Sequence, residues 1–245
     1  MFAVAVLWIG LSVASPAGPP FASSCERCHL VLHTVPSGSH VAEWSASAHA
    51  LRRVGCVRCH DGDAAAETAV EAHRSVLPAG LRTSRVHRTQ LPATCGACHP
   101  RQAASFTYSR HGAVLAANDE RAPSCASCHG AMSATVPSPT RLEQACAGCH
   151  ADPERDAYPS DARVLAEWLT DARGRLHEAE FGIARIADDT DRRQLWWRYD
   201  RAVDRANQAV GSLHGFDLSA ARSSLALVRA ELVAIERRLG TGTTH

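Results

Sequence analysis

Lysine is absent from this chain of 245 residues, so all 26 of its basic side chains at neutral pH are arginine. They almost balance 25 acidic residues, for a formal net charge of +1. That balance excludes a whole-surface attraction to nucleic acid or to an anionic membrane. Strand-like alternation is missing as well. The apolar run from Phe2 to Val13 is too short to span a bilayer. Past residue 150 there is no cysteine, and before it no cysteine stands alone.

The lysine deficit has two readings. One is a compositional bias of the coding sequence, in keeping with the abundant alanine. The other is a use for planar, bidentate guanidinium groups that recognise carboxylates.

What is present is ten cysteines, and every one falls in a Cys-x-x-Cys-His run: CERCH at 25–29, CVRCH at 56–60, CGACH at 95–99, CASCH at 125–129 and CAGCH at 146–150. Two thiols two residues apart on a helical turn can add across the vinyl groups of one porphyrin edge. The next residue, a histidine, then lies under the iron. Zinc sites use such cysteine pairs but need no histidine after each one. A redox dithiol occurs once, in a βαβ setting, and a disulfide scaffold gives five histidines no task. The pattern therefore predicts five covalently attached haem c groups. Their sulfurs would come from Cys25, Cys28, Cys56, Cys59, Cys95, Cys98, Cys125, Cys128, Cys146 and Cys149. The proximal ligands would be His29, His60, His99, His129 and His150.

Nine histidines lie outside the motifs: His33, His40, His49, His73, His87, His111, His177, His214 and His245. They are enough to give each iron a second axial ligand, which leaves no open position for a substrate. An internal echo ranks them. Trp44-Ser45-Ala46-Ser47-Ala48-His49 lies between the first two motifs, and Phe106-Thr107-Tyr108-Ser109-Arg110-His111 between the third and fourth. Both stretches carry an aromatic residue followed by Ser-x-His.

With those residues in view, the segment 25–150 resembles the multihaem cytochromes c of the c3-like and c554-like group. WSASAHA, CVRCHDGD and EAH look like that group's W-x-x-S-x-H-A, C-x-x-C-H-G-G-D and A-H elements; CGACH, YSRHG and PSCASCHG look like its second block. The resemblance implies distal-ligand roles for His49, His73 and His111. Asp61 stands where the first glycine of the G-G-D element is usual, which reads as a neutral turn change. Met132 stands where a ligand histidine is often found; its thioether either ligates a neighbouring iron or fills a gap between rings, and on the second reading the tail histidines His214 and His177 are the candidates to replace the missing ligand. His87 follows them, with His33 and His40 weaker.

The remaining expectations concern organisation. Residues 1–17 read as a signal peptide, with cleavage after Ala14 or Ala17, or else as a short uncleaved anchor. Residues 18–155 read as a pentahaem cytochrome domain whose core is porphyrin, and 156–245 as a C-terminal helical domain. In the tail, Val164, Leu165, Trp168, Leu169 and Leu176, then Leu218, Ala221, Leu225, Val228, Leu232, Ile235 and Leu239, recur at helical spacing. Ser160 or Asp161, Asp189 or Thr190, and Asp217 are the expected caps, with Phe216 as a hydrophobic staple, Gly211 and Gly215 marking a turn, and Trp196 and Trp197 in the core or its seams. The fold class is mainly α with much irregular structure, a haem-cored domain followed by an antiparallel bundle.

The function implied is electron transfer in the periplasm. The partners would be a membrane quinol-oxidising cytochrome or dehydrogenase on one side and a downstream reductase or cytochrome on the other, with the tail helices available for a homo-oligomer. The alternative is a reductase of small nitrogen or sulfur oxyanions with one open haem, although the Cys-x-x-Cys-Lys motif of pentahaem nitrite reductases is absent.

Overall fold

Frequent glycine, proline and serine between the motifs keep the described helices of the motif region short. In the computed structural model, which describes residues 23–32, 38–152 and 156–240, the chain is mainly α-helical. Among the described residues there is no strand, and no helix is long and apolar enough to cross a membrane. The expected signal peptide and His33 lie outside the described residues.

Among the described residues, ten helices of four to nine residues carry the motif region: α1 (Ser24–Val31), α2 (Gly38–Ser45), α3 (Ala48–Leu51), α4 (Val57–His60), α5 (Ala69–Ala72), α6 (Leu91–Gly96), α7 (Pro100–Thr107), α8 (Arg110–Ala116), α9 (Cys125–His129) and α10 (Pro139–Ala147). Their protein core is small: Phe106, Leu115 and Ala122 cluster together, with Phe216 of the tail against them.

The tail is the opposite case. Helices α11 (Tyr158–Ala184), α12 (Asp189–His214) and α13 (Leu218–Leu239) close around fifteen buried residues, from Leu165 and Ile183 to Val228 and Ile235. Six of the fifteen are alanines, which let the backbones approach. Arginine ties the helices together at the rim. Arg175 makes a two-pronged pair with Glu236 at 2.7 and 2.8 Å, and Glu231, a buried carboxylate, receives Arg198 and Arg201 at 2.8 and 2.9 Å. These pairs use the fork geometry that distinguishes arginine from lysine.

Several local expectations need correction. Pro159 lies in the first turn of α11 and the cap is Ala157, so Ser160 and Asp161 are already helical. Asp188, one residue ahead of the expected pair, caps α12 through the amide of Asp191. Asp217 caps α13 as expected, accepting from Ala220 at 2.9 Å. Gly211 is inside α12; its bare Cα faces Ser105 of α7, where a Cβ would come within 3.6 Å of the hydroxyl. Phe216 packs outward, at 4.1 Å from the ring of His111 and 6.1 Å from that of Phe106, and so fastens the tail to the motif region. Trp196 sits on the seam beside Tyr199, whereas Trp197 is 57% exposed with Arg201 over its face.

Candidate metal centres

Each motif is a single turn of helix, closed by an amide-to-carbonyl bond from histidine back to the first cysteine: 3.0 Å for His60 to Cys56, 2.9 Å for His99 to Cys95 and 2.9 Å for His150 to Cys146. The turn brings both thiols to one side and the histidine beneath them. No disulfide joins any of the ten cysteines.

Thiols of successive motifs meet in chain order. Cys25 is hydrogen-bonded to Cys56, and burial first, then that neighbour, pushes the Cys56 thiol up to about 11. Burial and then Cys95 raise Cys59. Cys95 and Cys125 share a hydrogen bond that draws Cys95 down to about 7 and raises Cys125. Burial, then Cys128, lifts Cys146 to about 11. Each motif is thus an electrostatic neighbour of the next in chain order.

Opposite the motif histidines stand histidines from elsewhere in the chain. Ring centroids are 5.8 Å apart for His29 and His73, 6.1 Å for His49 and His99, 6.0 Å for His111 and His150, and 6.0 Å for His129 and His214. A metal–imidazole bond of about 2 Å on each side, plus about 1 Å from each nitrogen to its ring centre, gives about 6 Å. The gaps therefore fit one iron between each pair.

Protonation fits as well. Nδ1 of His73 donates to the Ala69 carbonyl at 2.8 Å, that of His129 to Thr135 at 2.8 Å and that of His214 to Val210 at 2.7 Å. With the proton fixed on Nδ1, the lone pair of Nε2 is free for a metal. Burial, then the facing His99, lowers the pKa of His49; burial, then His150, lowers that of His111. For His214, too, burial dominates, with His129 adding to it and the Val210 bond opposing it. A neutral imidazole is the form that binds metal.

Local sequence explains how two of these are aimed. Ser47 caps α3 by accepting from Ala50 at 3.2 Å, and Ser109 caps α8 by accepting from Gly112 at 3.0 Å. In both, the histidine is the second residue of the helix, and in both it meets the motif two further along the chain. The Ser-x-His echo is thus a repeated helix start.

The fifth motif histidine, His60, has a neighbour that composition alone ranks low. Burial lowers its pKa most, then the imidazole of His40. His40 lies on α2 one turn before Trp44, whose indole donates to the Val54 carbonyl at 2.9 Å, just ahead of Cys56. Trp44 was the available clue, since residues four apart share a helix face.

Two candidates lie elsewhere. His177 is on the exposed face of α11, its ring edge-on to Phe181 at 4.9 Å, and α11 does not turn it toward a motif. His87 is buried, with Nδ1 against the Thr89 hydroxyl at 2.8 Å.

Asp61 is not a neutral exchange for glycine. The residue after the fourth motif is Gly130, at φ 80° and ψ 158°; after the second it is Asp61, at φ 60° and ψ −159°. That region is essentially restricted to glycine. Asp61→Gly should relieve about 1–3 kcal/mol of strain. It forfeits a partly exposed pair with Arg85, worth at most about 1 kcal/mol. Net stabilisation of about 1 kcal/mol is expected, read as a higher thermal midpoint; a lower midpoint would show the ion pair to matter more than the strain.

Short helices carrying cysteine pairs, with imidazoles facing across metal-sized gaps, form an arrangement that fits covalently bound haem. Residues 81–151, which hold the last three motifs, match the family described as cytochrome c7 and related cytochrome c, and so are similar to multihaem electron-transfer proteins. No curated protein and no solved structure matches the chain.

Proposed function

We propose that this chain is an exported, periplasmic electron carrier with five haem c groups, each iron held between two histidines. The observation that carries the proposal is the set of four facing imidazole pairs at 5.8–6.1 Å. When bound, haem c supplies one-electron chemistry between ferric and ferrous iron.

The side chains do the rest. The cysteine pairs would anchor each macrocycle through thioethers. His29, His60, His99, His129 and His150 would fill the near axial positions, and His73, His40, His49, His214 and His111 the far ones. Occupation of both positions leaves no place for a substrate, which favours a carrier over an oxyanion reductase; that would need an open iron and groups to deliver protons. Met132 and His177 then have no iron to serve. The thiol contacts support a row in chain order, from the motif at 25–29 to that at 146–150. Donor and acceptor would be a quinol-oxidising membrane cytochrome or dehydrogenase and a downstream reductase or cytochrome, with a homo-oligomer through the tail as a further arrangement.

The test is stoichiometry. The mature protein should keep five haems through acid-acetone extraction and denaturing electrophoresis, because thioether bonds survive both. A mass spectrum fitting fewer, or zinc in their place, would overturn the proposal.

A further inference from the structure

His150 has a partner unlike those of His73, His129 and His214. His73, His129 and His214 each turn Nδ1 to a neutral main-chain carbonyl. His150 turns Nδ1 to the carboxylate of Asp156. That carboxylate is held from several directions. Its other oxygen accepts from the Tyr158 amide at 3.1 Å at the start of α11, and its own amide donates to the Asp152 carbonyl at 2.8 Å. The Tyr158 ring lies 5.5 Å from that of His150. The Asp156 side chain is 19% exposed, so water screens it only in part. It also acts on Cys146, the first thiol of the same motif.

A carboxylate that accepts the Nδ1 proton of a metal-bound imidazole makes the opposite nitrogen a stronger donor and adds a negative charge near the metal. Both effects favour the oxidised iron. Reduction adds one electron to ferric iron and lowers its positive charge by one, so a fixed anion stabilises the ferric side of the couple more than the ferrous side.

We infer that Asp156 is a positioning and tuning residue: its bond to His150 holds the centre at Cys146–His150 at a lower reduction potential than a carbonyl acceptor would. This rests on the reading of residues 146–150 as a haem site. It makes the end of the row nearest the tail the most strongly biased toward the ferric state by a hydrogen-bonded charge. It also gives the first turn of α11 a redox role, because the residue that receives the Tyr158 amide is the one that fixes the imidazole.

The experiment is a spectroelectrochemical titration of the purified holoprotein with redox mediators and dithionite as reductant, on the parent, Asp156→Asn and Asp156→Glu. Asparagine keeps one acceptor oxygen, able to face His150 Nδ1, and removes the charge at the cost of the second acceptor; glutamate keeps the charge and both oxygens. Asp156→Asn should shift one of the five midpoints upward, by about tenfold in its reduction equilibrium, or about 59 mV for one electron. Asp156→Glu should stay near the parent. Unmoved midpoints in Asp156→Asn, with five haems and low-spin spectra retained, would overturn the inference, as would equal shifts in both variants, which would mean a structural disturbance rather than a charge effect. Fewer than five haems in the parent would instead refute the haem assignment beneath it.

Discussion

His214→Ala is expected to convert one iron in five from low-spin to high-spin or water-ligated while all five haems stay attached. Attachment depends on the motif cysteines, none of which touches the tail histidine's role. Spin state depends on the far axial ligand. His214 is the last residue of α12, its Nδ1 bound to Val210 at 2.7 Å, its ring nearly parallel to that of His129 at 10° and 6.0 Å away. The approach is held by Phe216, which packs on His111 and Phe106. Truncation after Pro159 should reproduce the same conversion. His177→Ala should not, since that ring lies on the exposed side of α11. Electron paramagnetic resonance and the visible spectrum of the ferric protein decide the matter: low-spin signals unchanged in both His214→Ala and the truncation would return the tail to a docking role.

How far the sequence reveals this site depends on how local each constraint is. The motifs are legible because two thioethers and a proximal ligand must come from five consecutive residues. The Ser-x-His echo is legible because an N-cap and a histidine two residues later are also local. The pairing is not. His49 passes over the motif that follows it to meet His99, and His111 does the same to meet His150, so the partner is set by the path of the chain between helices. His177 and His214 share the same tail and looked alike, yet the buried positions Leu176, Ala179 and Ile183 define a face that excludes residue 177. His40 ranked low for lack of a motif, although Trp44 one turn on marks its helix face. In the tail the 3.6-residue pattern predicts three helices, and the differences lie at Trp197, which is exposed, and at the helix ends. There a cap can move by one residue without changing the apolar stripe, as it did from Asp189 to Asp188.

Preventing haem attachment, by replacing the motif cysteines with alanine, is expected to unfold the described helices of the motif region and leave the tail folded. The two parts differ in what holds them. Helices of four to nine residues are well below the ~12–15 at which even good sequences become marginally stable in water. Their buried apolar cluster is three residues with one partner from the tail. A cofactor surface is thus needed to offset the entropy of ordering that chain, as metal does in small metallodomains. The tail has helices of 27, 26 and 22 residues and a cluster of fifteen buried side chains, with the Arg175–Glu236 and Arg198–Glu231 pairs across its seams. Helices α7 and α10, which lean on the tail, should not survive as ordered elements, because each has fewer than ten residues and few buried contacts of its own. Circular dichroism should therefore retain more than half of the helical signal, and limited proteolysis should leave one resistant fragment covering roughly 156–240. An apoprotein protected along 24–150 would show that the short helices hold one another without the cofactor. Cooperative loss of the tail as well would show that the bundle depends on the motif region, through contacts such as Phe216 on Phe106 and His111, more than its own core implies.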